Sequence, residues 1–106
     1  MSENTVLTES TYYVLLSLMT PRHGYGIMQQ TEQLSGGRVR LAAGTLYGAL
    51  NALCEKGWIK PLAMVQESRK KEYVLTEKGL SVLQNELNRL RQLVANGECM
   101  LGEELR

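Results

Sequence analysis

Phenylalanine is absent, and tryptophan and histidine occur once each. A core must therefore be mainly aliphatic, with help from five tyrosines and five methionines. One histidine and two cysteines, Cys54 and Cys99, supply neither a metal cluster nor a redox pair at any known spacing. Thiols so far apart are expected to be free, which fits a reducing compartment. No apolar run approaches the ~18 residues of a membrane span, and the polar start "MSENT" is not a signal peptide. The expectation is a soluble, cytoplasmic protein with no membrane partner. No phosphate-cradling glycine loop follows a strand, and no nucleophile stands in a catalytic motif. An enzyme is not expected, nor a cofactor or a metal.

Charge of one sign is also lacking: the net charge of the 106 residues is +1. Its distribution is uneven. Arg38 to Lys78 carries eight Lys/Arg against four Glu, whereas the end of the chain, Glu98 to Arg106, is acidic. A basic middle on a neutral chain suits a one-sided anion-binding face. A chain of this length fits one domain with a modest core, for which burial against a partner subunit is a reasonable addition.

The periodicities predict helix, helix, helix, strand, strand, helix. Over residues 8–19, Tyr12, Leu15, Leu16 and Met19 share a face that Val14 and Leu18 widen. Thr8 or Ser10 can cap the start, and Pro21 ends the helix. Ile27, Met28, Thr31 and Leu34 mark a second helix stopped by Gly36-Gly37. A third runs from about Ala43 to Lys56, ending at Gly57. "WIKPLAMV" and "EYVLT" read as two strands of a β-hairpin around a long charged tip, with Pro61 at an edge or strand end. The last helix begins near Thr76. Leu80, Leu83, Leu87, Leu90 and Val94 form a heptad seam along it, more than the domain's own core needs and so a dimer surface. Glu86 and Arg89 are placed for an i, i+3 pair worth a few tenths of a kcal/mol. This is the order of a winged helix-turn-helix: mainly α with a small β-hairpin, an α+β class. The division is a winged domain over 8–76, then a dimerisation helix and acidic tail over 77–106.

"LAAGTLYGALNALCEKGWI" holds two glycines where a helix is strongest, each costing about 1 kcal/mol against alanine. At about 100° per residue, Leu46, Leu50 and Leu53 form the core stripe. Gly44, Gly48, Asn51 and Glu55 fall opposite, flanked by Thr45 and Tyr47. Two readings are open. The glycines lower the outward surface so that a DNA groove can approach, with Thr45 and Tyr47 offering hydroxyls and Asn51 pairing with adenine. Alternatively, Gly44 is an N-cap or first-turn residue and Gly48 lets a neighbouring loop pack.

"HGYGI" (23–27), "GTLYGALNALCEKGWI" (44–59) and "RKKEYVLTEKG" (69–79) together resemble the PadR family of transcriptional regulators. The resemblance covers roughly residues 10–95. It implies a homodimeric winged helix of the compact branch, with one C-terminal helix that packs on the partner's first helix. It also implies a helix-turn-helix over 25–35 and 43–56, the second being the recognition helix, and a wing over 59–75. Repression of nearby genes, relieved by a small molecule, is the implied role. Ala42-Ala43 depart from the Ser or Pro often found before "GTLY", so a cap hydroxyl is missing. Glu72 replaces an aromatic of the family pattern, and Trp58 reads as core rather than as a platform for stacking drugs.

The expected partners are thus double-stranded DNA, a second copy of the chain, and a small apolar or aromatic effector. The DNA contacts expected are Tyr25, Arg40, Gly44, Thr45, Tyr47, Gly48, Asn51, Arg69, Lys70 and Lys71. Tyr25 reads equally as core, and the Arg69–Lys71 run as a solvated hairpin tip. An effector seat is expected between the first and last helices, at Tyr12, Leu16, Leu90 and Val94, which also read as solid core. Cys54 reads as packing. The competing reading is a winged-helix protein–protein adaptor that does not bind DNA, motivated by the neutral net charge and by Glu55 and Glu72.

Overall fold

A computed structural model describes residues 5–62 and 71–102. Thr8 opens the first helix, α1 (Glu9–Ser17), by accepting the Thr11 N–H on its hydroxyl at 3.1 Å. The chain then tightens, with the N–H of Leu18 and Met19 donating three residues back, and α1 ends well before Pro21. Its inner side is Val14, Leu15 and Leu18, while Tyr12 and Leu16 pack at the core's margin. Met19 is exposed, contrary to the periodicity, because the helix stops before reaching it.

The early stop releases Arg22 and His23 as a short strand, β1 (Arg22–His23), that no sequence pattern signalled. It pairs antiparallel with β3 (Glu72–Leu75), which also pairs with β2 (Ile59–Pro61). The expected two-stranded hairpin is therefore a three-stranded sheet in the order β1-β3-β2. Two residues are too few to show an alternation, so β1 is defined only by its pairing. Pro61 ends β2, as its missing N–H demands. The expected charged tip, with Arg69 and Lys70, lies outside the described residues.

α2 (Gly24–Leu34) follows β1 directly. His23 caps it, its Nδ1 accepting the Gly26 N–H at 3.2 Å. α3 (Ala43–Glu55) starts at Ala42 with no side-chain cap, consistent with the missing hydroxyl. Both helices end on a left-handed glycine, Gly36 at φ 63° and Gly57 at φ 77°. At α3 the Trp58 N–H donates to the Leu53 carbonyl and the Gly57 N–H to that of Cys54, satisfying carbonyls the helix leaves free. Ile27, Leu46, Leu50, Leu53, Trp58, Ile59 and Tyr73 join the α1 residues in one core. Each fully buried Leu or Ile contributes about 1.5–3 kcal/mol.

α4 (Glu77–Leu101) is the longest element. Thr76 caps it at the Gly79 N–H and donates its hydroxyl to the Gly57 carbonyl at 2.6 Å, tying the end of α3 to the start of α4. Gly79, Val82, Leu83 and Glu86 are buried against the domain, and beyond them every described residue of α4 is exposed or half-buried. Among the described residues, no helix is long and apolar enough to cross a membrane, and no three His, Cys, Asp or Glu side chains cluster as metal ligands would.

Candidate nucleic-acid interface

α3 turns Leu46, Leu50 and Leu53 inward and leaves Gly44, Thr45, Tyr47, Gly48, Asn51 and Glu55 exposed. A Cβ at Gly44 or Gly48 would meet nothing within 4 Å. Among the described residues no loop packs over Gly48, and Gly44 stands in the first turn of the helix. With side chains absent at both positions, the helix backbone is approachable between Thr45, Tyr47 and Asn51. Cys54, near the end of the same helix, is half-buried and packs against the core. Burial pushes its thiol pKa up, opposed by the charge of Lys71, which disfavours a reactive thiolate.

Tyr47 does not project freely. Its ring end rests on Gly24, at the first residue of α2: a Cβ built there would lie 2.8 Å from the tyrosine Cζ and closer still to its hydroxyl. The side chain of α3 thus reaches across to α2 while 48% of the residue stays exposed.

The basic residues differ in how they are held. Arg38 pairs with Glu9 at 3.1 Å, and Arg40 approaches Glu32 at 3.7 Å, both on the surface. Exposed pairs of this kind are worth at most about 1 kcal/mol, so either arginine can exchange its carboxylate for another anion. Lys71 is exposed, with its ammonium 5.6 Å from the centre of the Tyr73 ring. Tyr73 itself is buried. Its pKa is pushed up by burial and by its neighbours Cys54 and Tyr47.

Tyr25 is 61% exposed, which removes it from the core. It lines an open groove of about 790 Å³ along α2, together with Arg22, Gln29, Gln33 and Arg40. Sequence reasoning found Tyr25 and Arg40 but not the others. The signal was available: Tyr25, Gln29 and Gln33 recur at i, i+4, a polar stripe opposite Ile27 and Thr31. Arg22 had no signal, since its position depends on β1; its Nε donates to the Ser17 carbonyl at 2.7 Å.

On α4 the seam divides. Leu83 belongs to the subunit's own core, whereas Leu80, Leu87 and Val94 are exposed and Leu90 is half-buried. Leu93, Met100 and Leu101 extend the uncovered apolar surface. Glu86 is not the solvated pair partner its spacing suggests. It is 2% exposed, grips Arg89 through two bonds of 2.7 Å, and accepts the Leu7 N–H at 3.0 Å. Those Arg89 hydrogen bonds hold its carboxyl below the usual range against the opposing effect of burial, and the Leu7 N–H lowers it further. Of the residues expected around an effector, Tyr12 and Leu16 are half-buried on α1, and Leu90 and Val94 lie on α4 past its last buried residue.

The profile of the transcriptional regulator PadR-like family matches residues 14–85, more than half of the chain. The chain belongs to the PadR-like family. The PadR-like segment is 38% identical over 73 residues to an uncharacterized 37.1 kDa protein in transposon TN4556 of Streptomyces fradiae. That match covers 69% of this chain but only 20% of the relative, so the chain spans a fifth of that protein's length. Among solved structures, a PadR family transcription regulator from Clostridium difficile R20291 superposes with a TM-score of 0.74 at 22% identity, over 89% of this chain and 99% of that one. A PadR family regulator from Eggerthella lenta gives 0.65 at 26% identity, over 88% and 80%. Bacillus subtilis PadR in complex with operator DNA gives 0.61 at 24% identity, over 74% of this chain and 45% of that one. The family is one of transcriptional regulators, not of enzymes, and its winged-helix fold accounts for the three helices, the small sheet and the long last helix.

Proposed function

We propose that this PadR-like protein is a sequence-specific DNA-binding repressor acting as a homodimer on an inverted repeat. The observation that carries the reading is the outward face of α3. Two glycines with open space over them are flanked by Thr45, Tyr47 and Asn51, on a helix whose opposite face is solid core. Such a face lets a major groove come close to the backbone. Asn51 then reads an adenine edge, and Thr45 reads a base edge or phosphate. The uncapped start of α3 at Ala42 and Arg40 just before it favour a phosphate. Lys71, together with the sequence neighbours Arg69 and Lys70, grips the flanking backbone. Tyr25 and Arg22 border the groove along α2 and extend the polar surface toward the same strand.

Dimerisation follows from α4. Past Glu86 its apolar residues Leu87, Leu90, Leu93 and Val94 lie outside the subunit's core, and a second copy gives them a partner. A two-fold dimer with one α3 per subunit fits half-sites about one helical turn, ~34 Å, apart. Seated across a promoter, it blocks access to polymerase. A small apolar or aromatic effector held between α1 and α4, at Tyr12, Leu16, Leu90 and Val94, would release the DNA by favouring a dimer with different α3 spacing.

The test is binding of the purified protein to the DNA upstream of its own gene, with Asn51→Ala as the comparison. Loss of selectivity against single-base changes in each half-site, with the variant still folded, is the expected result. A variant that selects operator as well as the parent contradicts the assignment of α3.

A further inference from the structure

Two glycines flank Tyr25 in "HGYG", and the structure treats them differently. A Cβ at Gly26 would find its nearest neighbour at 3.7 Å, an ordinary contact. A Cβ at Gly24 would lie 2.8 Å from the Tyr47 Cζ and 3.3 Å from its Cε1, with the hydroxyl nearer still. Gly24 is not among the positive-φ glycines, so its backbone does not demand glycine. The three atoms nearest to such a Cβ all belong to the tyrosine.

We infer that Gly24 is a positioning residue for DNA recognition: its missing side chain is the seat of the Tyr47 ring and sets where the Tyr47 hydroxyl stands. This rests on the DNA-binding reading of α3. The ring starts on α3 and ends on the first residue of α2, so it bridges the two helices of the helix-turn-helix. The hydroxyl is drawn away from the middle of the α3 face, where Asn51 stands, toward the start of α2. A hydroxyl at that margin meets the DNA backbone rather than a base edge, and contributes affinity without sequence preference.

The seat is separable from stability. Tyr47 is half-exposed, so its ring can swing outward when a methyl group occupies the space over Gly24. Gly24→Ala therefore moves the hydroxyl while leaving the fold in place.

The experiment is a double-mutant cycle read by fluorescence anisotropy on the gene's own upstream DNA and on scrambled DNA, with melting temperatures alongside. Tyr47→Phe and Gly24→Ala are each expected to weaken binding by the dimer roughly 25-fold on both DNAs, the size of one hydrogen bond lost in each of two subunits. The Gly24→Ala/Tyr47→Phe protein is expected to bind like Tyr47→Phe alone. Adding Gly24→Ala to Tyr47→Ala is expected to change neither affinity nor melting temperature for the worse. The inference is overturned if Gly24→Ala binds like the parent, if Tyr47→Phe does, or if the two losses multiply. It is also overturned if Gly24→Ala lowers the melting temperature even with alanine at 47, since the backbone and not the tyrosine would then be at fault. Wild-type protein that fails to select operator overturns the DNA reading and this assignment with it; wild-type selection with an unaffected Gly24→Ala overturns the assignment alone.

Discussion

The carbonyl oxygen of Trp58 occupies the place a Cβ of residue 79 would take. Gly79 is the third residue of α4, and the turn leaving α3 passes directly over it, so close that a methyl group there would collide with backbone, and with the Leu75 side chain at 2.8 Å. The same turn is held by the Thr76 N–H donating to the Trp58 carbonyl at 3.0 Å and by the Thr76 hydroxyl on Gly57. The "TEKG" stretch is therefore a joint between α3, the sheet and the last helix.

Backbone cannot yield as a side-chain tip can. Gly79→Ala is expected to cost about 3 kcal/mol or more, read as a lowered urea midpoint. A midpoint unchanged from the parent would mean the joint is looser than described.

Gly48 predicts the opposite sign. It lies in the interior of α3 with none of the described residues near its missing side chain, so Gly48→Ala is expected to stabilise the protein by about 1 kcal/mol. The same methyl group stands on the proposed groove-facing surface and is expected to weaken operator binding. Denaturant melts and DNA titrations of the one variant check both. A variant that is stabilised and binds equally well would remove the reason for glycine at this position.

Much of this architecture was legible in the sequence, and the parts that were not share a cause. Leu46, Leu50 and Leu53 announce the inner face of α3 by spacing alone, and the outward position of Gly44, Gly48 and Asn51 follows from it. The glycine stops at Gly36 and Gly57 were equally plain. By contrast, β1 is two residues long and exists only through its pairing with β3, a contact remote in sequence. The burial of Glu86 depends on Leu7, another remote partner. The seating of Tyr47 on Gly24 joins two helices and has no periodic trace. Local patterns carried the elements, while contacts between distant segments decided what each polar side chain does.

Glu86 makes stability depend on acid. Its carboxyl titrates below its ordinary value of 4.5 in the folded protein because Arg89 and the Leu7 N–H favour the charged form. A depressed folded pKa contributes stability that is full above the unfolded value and is lost as pH falls through the folded one. Wild-type protein is expected to lose stability below about pH 4.5, and Glu86→Gln to lose less over the same window while being about 1–2 kcal/mol less stable at pH 7. Parallel pH profiles for the two proteins would show that the pair contributes nothing.

The uncovered stretch of α4 predicts the oligomer. Leu87→Glu together with Val94→Glu adds two charges to the exposed seam, outside the subunit's own buried core. Sedimentation is expected to show a dimer for the parent and a monomer for the double variant, with the helical signal of the winged domain retained. A parent that sediments as a monomer at micromolar concentration would contradict the dimer.

The account stands or falls on whether this chain selects DNA. Binding of the purified protein to its own upstream DNA, against a scrambled duplex and across a salt series, tests that directly. The prediction is selective binding whose affinity falls steeply and linearly with log salt, as phosphate contacts by Lys71, Arg40 and their neighbours require. Equal binding to both duplexes, or affinity indifferent to salt, would contradict it and leave a winged-helix adaptor for another protein as the better reading.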